Sequence, residues 1–168
     1  PMYNAPITLL LWAFVALLLD DATATVPSRV AADSRKMASI AQTEAAEGNL
    51  AASLAAWAVA RRLNPQNTAA FVGLAQQLRA VGFVAEAANE LQRLVELSPS
   101  DAAAHFALAQ CLHQMGHTLA SHDHFNRAIE LDSSDPQYWF EFAVALRQAG
   151  FLQPAADVLT KAIELHPN

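Results

Sequence analysis

Four glycines, Gly48, Gly82, Gly116 and Gly150, stand 34 residues apart. The same step connects Pro65, Pro99, Ser133 and Pro167, and the alanines Ala41, Ala75, Ala109 and Ala143. Three columns that hold one period over four turns constrain the chain more than any other feature. A period of this length is one supersecondary unit that cannot bury its apolar face alone, so its neighbours must stack. Within each period the pattern is two amphipathic helices. Glycine after the first accepts the left-handed conformation at its C-terminus, and proline after the second blocks its continuation. Small alanines let paired helices approach closely, while large apolar residues at i, i+3 and i+7 fill the seam.

The last period is the clearest, with Trp139, Phe142, Ala143 and Leu146 before Gly150, then Ala155, Leu159, Ala162 and Pro167. The one before it has His105, Leu108, Ala109 and Leu112, then Ser121, Phe125 and Ala128. The second has Phe71, Leu74, Ala75 and Leu78, then Ala87, Leu91, Leu94 and Pro99. The first opens weakly, with Met37, Ile40, Ala41 and Glu44, and continues with Ser53, Trp57, Ala60 and Pro65. This pattern resembles the tetratricopeptide repeat, in four copies over residues 34–168. The resemblance implies an all-α, right-handed superhelical solenoid of helix-turn-helix units, and a protein that binds other proteins in a concave groove. Glu44 departs from the family pattern, which marks the first helix as atypical or capped. Ser133 replaces a proline and should loosen one turn. No capping helix follows the fourth repeat, so its outer face is expected to be covered by a partner, by a second copy in a homo-oligomer, or by the N-terminal segment.

That segment is apolar. Residues 5–19 read APITLLLWAFVALLL without a charge, and Leu9, Leu10, Leu11, Trp12, Phe14, Leu17 and Leu18 supply most of the bulk. Asp20 and Asp21 end the run. The expected division is an apolar helix over 1–21, a linker over 22–33 and the repeat domain over 34–168. Three readings compete for the run. As a membrane anchor, 15 residues would span roughly 22 Å, short of the ~30 Å hydrocarbon core. As a signal peptide it has the small-x-small sequence Ala22-Thr23-Ala24, but no Lys or Arg precedes it. As a third reading, it packs on protein as a buried helix. The anchor reading places the protein at a membrane, with a soluble protein as the alternative. Arg29, Arg35 and Lys36 follow the run, which favours a cytoplasmic side, whereas anchored bacterial scaffolds of this sort commonly face the periplasm.

Composition excludes several classes. Apolar residues are 54% of the chain, too many for intrinsic disorder. A net charge of −6 gives no basic footprint for nucleic acid. One cysteine, Cys111, excludes a disulfide framework and is expected in the core. No Gly-rich phosphate loop or Ser-His-Asp arrangement is present. Four of the six histidines fall between His113 and His124. His113 and His117 are four apart, but Gly116 interrupts the helix; His122 and His124 point about 200° apart on a helix. With no cysteine or carboxylate shell, these are expected as surface histidines.

By the resemblance, the first helix of each repeat lines the groove. One column is then Gln42, Gln76 and Gln110, ending in Val144. A second is Arg79, His113 and Arg147, and a third is Val72, Phe106 and Phe140. The mixture suits a peptide or helix with apolar anchors and some acidic character. The Lys and Asn set with which the family clamps a C-terminal carboxylate is missing. The function expected is a non-catalytic interaction scaffold or adaptor, serving as an anchored accessory or assembly subunit of a membrane complex, without a cofactor, metal or nucleic acid. One alternative is a soluble chaperone whose N-terminal helix occupies the groove as a pseudo-ligand. A distant one is a metal-binding protein using His113 and His117.

Overall fold

The computed structural model describes residues 28–165; the apolar run at 5–19 lies outside them. The described residues form helices and turns: α1 (Ser28–Ala46), α2 (Leu50–Leu63), α3 (Thr68–Ala80), α4 (Val84–Leu97), α5 (Ala102–Gln114), α6 (Thr118–Leu131), α7 (Pro136–Gln148) and α8 (Leu152–Leu165). They divide after Phe83 into two compact units. In the first, α2 packs against both α1 and α3, and α1 also touches α3. In the second, each helix from α4 to α8 packs on the next.

The four periodic glycines have positive φ, between 80° and 93°. Each sits just past the end of a first helix, where two backbone bonds close the turn. After α5, for example, Gly116 N–H donates to His113 O (3.0 Å) and His117 N–H to Leu112 O (2.9 Å). This is the Schellman arrangement, usually accompanied by an apolar contact between the residues joined by the outer bond. The residues so joined are Leu78 with Phe83, Leu112 with His117, and Leu146 with Phe151. In the first repeat they are Glu44 and Asn49, and a side-chain bond from Asn49 Nδ2 to Glu44 Oε2 (3.0 Å) links them as well. The Glu44 departure from the pattern is thus a polar version of the same closure.

A further 34-residue column, unread in the sequence, starts the first helices. Asn67 accepts from Ala70 N–H (3.3 Å), Asp101 from Ala104 N–H (3.0 Å) and Asp135 from Gln137 N–H (2.9 Å). These side chains satisfy N–H groups that a helix start leaves open. Asp33 occupies this column in the first repeat but does not cap. The helix begins at Ser28, so residues 28–33, expected as linker, are its opening turns. Packing accounts for the early start. Ser34 is fully buried; its hydroxyl donates to Ala60 O (2.7 Å) and accepts from Asn67 Nδ2 (2.9 Å). The turn at Ser133 is also not left loose. Asp132 Oδ1 accepts from both the N–H (2.9 Å) and hydroxyl (2.6 Å) of Ser134.

Each unit has its own core. In the first, Leu54, Trp57, Phe71 and Leu74 are buried. Gly73 is required there: a Cβ would stand 2.5 Å from the Trp57 ring. The Arg61 guanidinium lies 5.6 Å from the Phe71 centroid, within cation–π range. In the second, Phe125 stacks on Phe142 (5.5 Å) and meets the edge of Phe106 (5.9 Å), with Ala109, Ala128, Ala145 and Ala155 filling between. Cys111 is buried, as expected of a small core residue.

Candidate functional site

In the first unit, α1 and α3 present Gln42 and Gln76, both exposed. Val72 and Arg79 on α3 are half-buried. Val72, Gln76 and Arg79 follow at i, i+4 and i+7 on α3 and so share one face, and Gln42 stands one 34-residue period earlier on α1, which touches α3.

In the second unit the predicted columns divide. Phe106 does not line a surface. It is 9% exposed, because Tyr138 of the next repeat stacks over it at 4.6 Å and Phe125 closes the other side. Its equivalent one period on, Phe140, is 59% exposed. Gln110 is half-buried. His113 is half-buried and donates from Nε2 to Gln148 Oε1 on α7 (2.6 Å). On α7 itself, Phe140, Val144 and Arg147 follow at i, i+4 and i+7 and so share one face. Val144 is half-buried and Arg147 exposed. Two apolar groups and one cation along this stripe can anchor an apolar side chain and pair with a carboxylate.

His113, His122 and His124, expected at the surface, are half-buried. His105 is 7% exposed. Its Nε2–H donates to Pro99 O (3.2 Å), which leaves Nδ1 of the neutral ring to accept from His124 Nδ1–H (2.9 Å). The ring centroids are 5.1 Å apart, so the two nitrogens point nearly at each other and not at a common third point, as chelation would require. Burial, and then the neighbouring His105, hold His124 below its ordinary pKa against an opposing pull from Asp123. His122 points the other way, as the two-residue spacing predicts. It meets the rings of Phe142 (5.6 Å) and Phe151 (5.5 Å) edge to face, and its Nε2 is buried with no hydrogen-bond partner among the described residues. Burial chiefly, and His113 next, lower its pKa, with Asp123 opposing. His117 is exposed. Among the described residues no three His, Cys, Asp or Glu side chains gather as metal ligands.

An open cleft of about 460 Å³ lies between α6, α7 and α8, floored by Phe142, Leu146 and Phe151 and rimmed by Leu119, Asn126 and Asp157. It had no signal in the sequence, because its walls come from three helices whose facing residues look like ordinary core.

Residues 78–144 match the family described as Tetratricopeptide repeat. No curated protein matches the chain. Among solved structures the chain is similar to MamA (41-end) from Desulfovibrio magneticus RS-1, at 16% identity, TM-score 0.68, over 98% of this chain and 97% of that one. It is similar to TTC0263, a thermophilic TPR protein of Thermus thermophilus, at 18% identity, TM-score 0.69, over 80% and 75%. It also resembles part of the Thermobaculum terrenum O-GlcNAc transferase, at 27% identity and TM-score 0.65, over 71% of this chain but 23% of that one. Glycine turns, cap column and helix pairing agree with these matches: residues 78–144 are tetratricopeptide repeat, and the described residues are all-α with the fold of such repeats, one that serves protein–protein interaction. Among the described residues no helix is long and apolar enough to cross a membrane.

Proposed function

We infer that the protein is a non-catalytic adaptor, which holds a helical or extended segment of a partner protein against the exposed sides of its first helices. The observation that carries this reading is the stripe Phe140, Val144 and Arg147 on α7. Phe140 remains 59% exposed although its column is apolar, and a cation stands two turns along the same face. The first unit, taken by itself, carries the exposed amides Gln42 and Gln76 on α1 and α3. A partner with one or two large apolar side chains and an acidic residue fits, because the apolar anchors supply affinity and the charge sets register. An assembly or accessory role follows from such binding. Anchoring at a membrane does not follow from it.

The test is photo-crosslinking in the native cells, with a benzophenone side chain at position 144 or 76, or at position 126 on α6 as control. A discrete adduct from 144 and 76 and none from 126, lost on Arg147→Glu, supports the reading. Equal adducts from all three positions would overturn it.

A further inference from the structure

The first and last helices of the repeat array present different surfaces. In the middle of the second unit, Phe125, Ala128 and Ile129 on α6 pack against Tyr138, Phe142, Ala145 and Leu146 on α7. One period on, α8 carries Leu159, Ala162 and Ile163 in the places of Phe125, Ala128 and Ile129. Every one is apolar, yet Leu159 is 41% exposed and Ile163 70%, against 1% for Phe125. Leu152, at 69%, continues the stripe at i, i+7 and i+11, and Ala156 completes it without a charge. Three periods before α7, the covering positions on α1 are Lys36, Ile40, Thr43 and Glu44. A terminal repeat needs such a polar outer face. α1 has the surface of a terminus, whereas α8, packed on α7 through Ala155, has on its other face the surface of an interior helix that no described residue covers.

We propose that residues 5–19 of a second copy dock as a helix on this face of α8. The covering helix has to bring no charge into an apolar seam, which excludes α1 with its Lys36 and Glu44. Residues 5–19 carry none. The run is 15 residues, matching the 14 of α8. It also repeats the covering pattern. On α7, Phe142, Ala145 and Leu146 place a large, a small and a large residue at i, i+3 and i+4, and Leu10, Ala13 and Phe14 stand at the same spacing. The small residue lets the helices approach, and the large ones flank Leu159. Residues 20–27 join the run to α1, so a donor copy keeps its own repeats intact. Donor and acceptor are different surfaces, so the contact is heterologous and each copy can give and receive. The proposal is independent of the partner stripe on α7.

The test uses the full chain with Cys111→Ala, mixing equal amounts of an Ala13→Cys and a heavy-isotope Ala156→Cys variant under mild oxidation. A disulfide between one light and one heavy chain is expected, together with a sedimentation mass that rises with concentration and an association at least tenfold weaker in Leu159→Asp/Ile163→Asp. Those two side chains are exposed, and retained helical circular dichroism shows that the variant folds. Four results would overturn the proposal: a monomer at all concentrations, crosslinks from Ala156→Cys with itself, an intrachain disulfide in a separate variant that carries both Ala13→Cys and Ala156→Cys, or capture of the run by lipid vesicles while α8 stays open to labelling.

Discussion

α1 and α8 are the first and last described helices, and they leave different chemistry exposed. α1 is 19 residues long, and the residues buried along it from 31 onward are small: Ser34, Ala38 and Ala41. Its outward positions are Lys36, Ile40 and Glu44, with Ile40 39% exposed. α8 buries Ala155 alone and turns Leu152, Leu159 and Ile163 outward. Turn closure follows the same division. The pair joined at the end of α1 is Glu44 with Asn49, polar on both sides, while the pair at the end of α7 is Leu146 with Phe151. In a repeat protein, the burial of a column is therefore set by the neighbour that stacks on it, and residue type alone shows which surfaces were written for a neighbour.

The largest effect is expected inside that seam. Phe125→Ala should lower stability by about 3–5 kcal/mol, the usual range for a fully buried phenylalanine. Leu159→Ala, at the same column one period on, should lose roughly 1 kcal/mol or less in dilute monomer, because its apolar area is already wet. Urea unfolding followed by circular dichroism measures both, and equal losses would break the contrast between seam and end face. Gly73→Ala comes next. The new Cβ must displace the Trp57 ring, and overpacking of this kind costs about 1–3 kcal/mol. Ser34→Ala follows at about 1–2 kcal/mol, because the Asn67 amide and the Ala60 carbonyl both lose a buried partner. Stability unchanged in Ser34→Ala would show that the opening turns of α1 do not depend on this bond.

Much of this was legible in the sequence. The period fixed the helix pairs and the Gly116-type turns, because positive φ leaves a strong compositional mark. The apolar columns of the third repeat likewise place Leu108 and Ala109 in the core, where both are buried. The start of α1 was not legible. Asp33 stands in the cap column of Asn67, Asp101 and Asp135, and only the Ser34 contacts with Ala60 and Asn67 show that the helix runs through it. Phe106 shares its 34-residue column with Phe140, so the sequence places both in the groove. Periodicity cannot show that Tyr138 covers one and leaves the other open. The histidine pair left no mark: His105 finds its partner His124 on the next helix, 19 residues away, a separation no motif records.

Acid should separate the two units. All histidines of the described residues lie in the second. His122 and His124 have folded pKa values lowered below 6.5, so on acidification the unfolded chain binds protons first. Stability is then fully present above about 6.5 and falls as the pH drops below it. Hydrogen exchange at pH 5.5 against 7.5 should show faster opening of α5–α7 with α1–α3 unchanged. His122→Leu should reduce the acid loss, since the ring between Phe142 and Phe151 would no longer carry a nitrogen to protonate. Equal acceleration of α1–α3 would assign the effect to something other than these histidines.

The smallest stability change should come from exchanging the character of the two ends. Leu159→Lys with Ile163→Glu gives α8 the kind of outer face that α1 already has. Both side chains point outward in the dilute monomer, so the change should stay within about 0.5 kcal/mol. Their cost appears only where something packs on them. An isolated monomer should therefore unfold at the wild-type urea midpoint, while any assembly that uses the α8 face should weaken in the same variant. A large loss in the dilute monomer would mean that the face is covered within one chain, and the contrast between the two ends would then have to be redrawn as a contrast between a bare helix and a self-covered one.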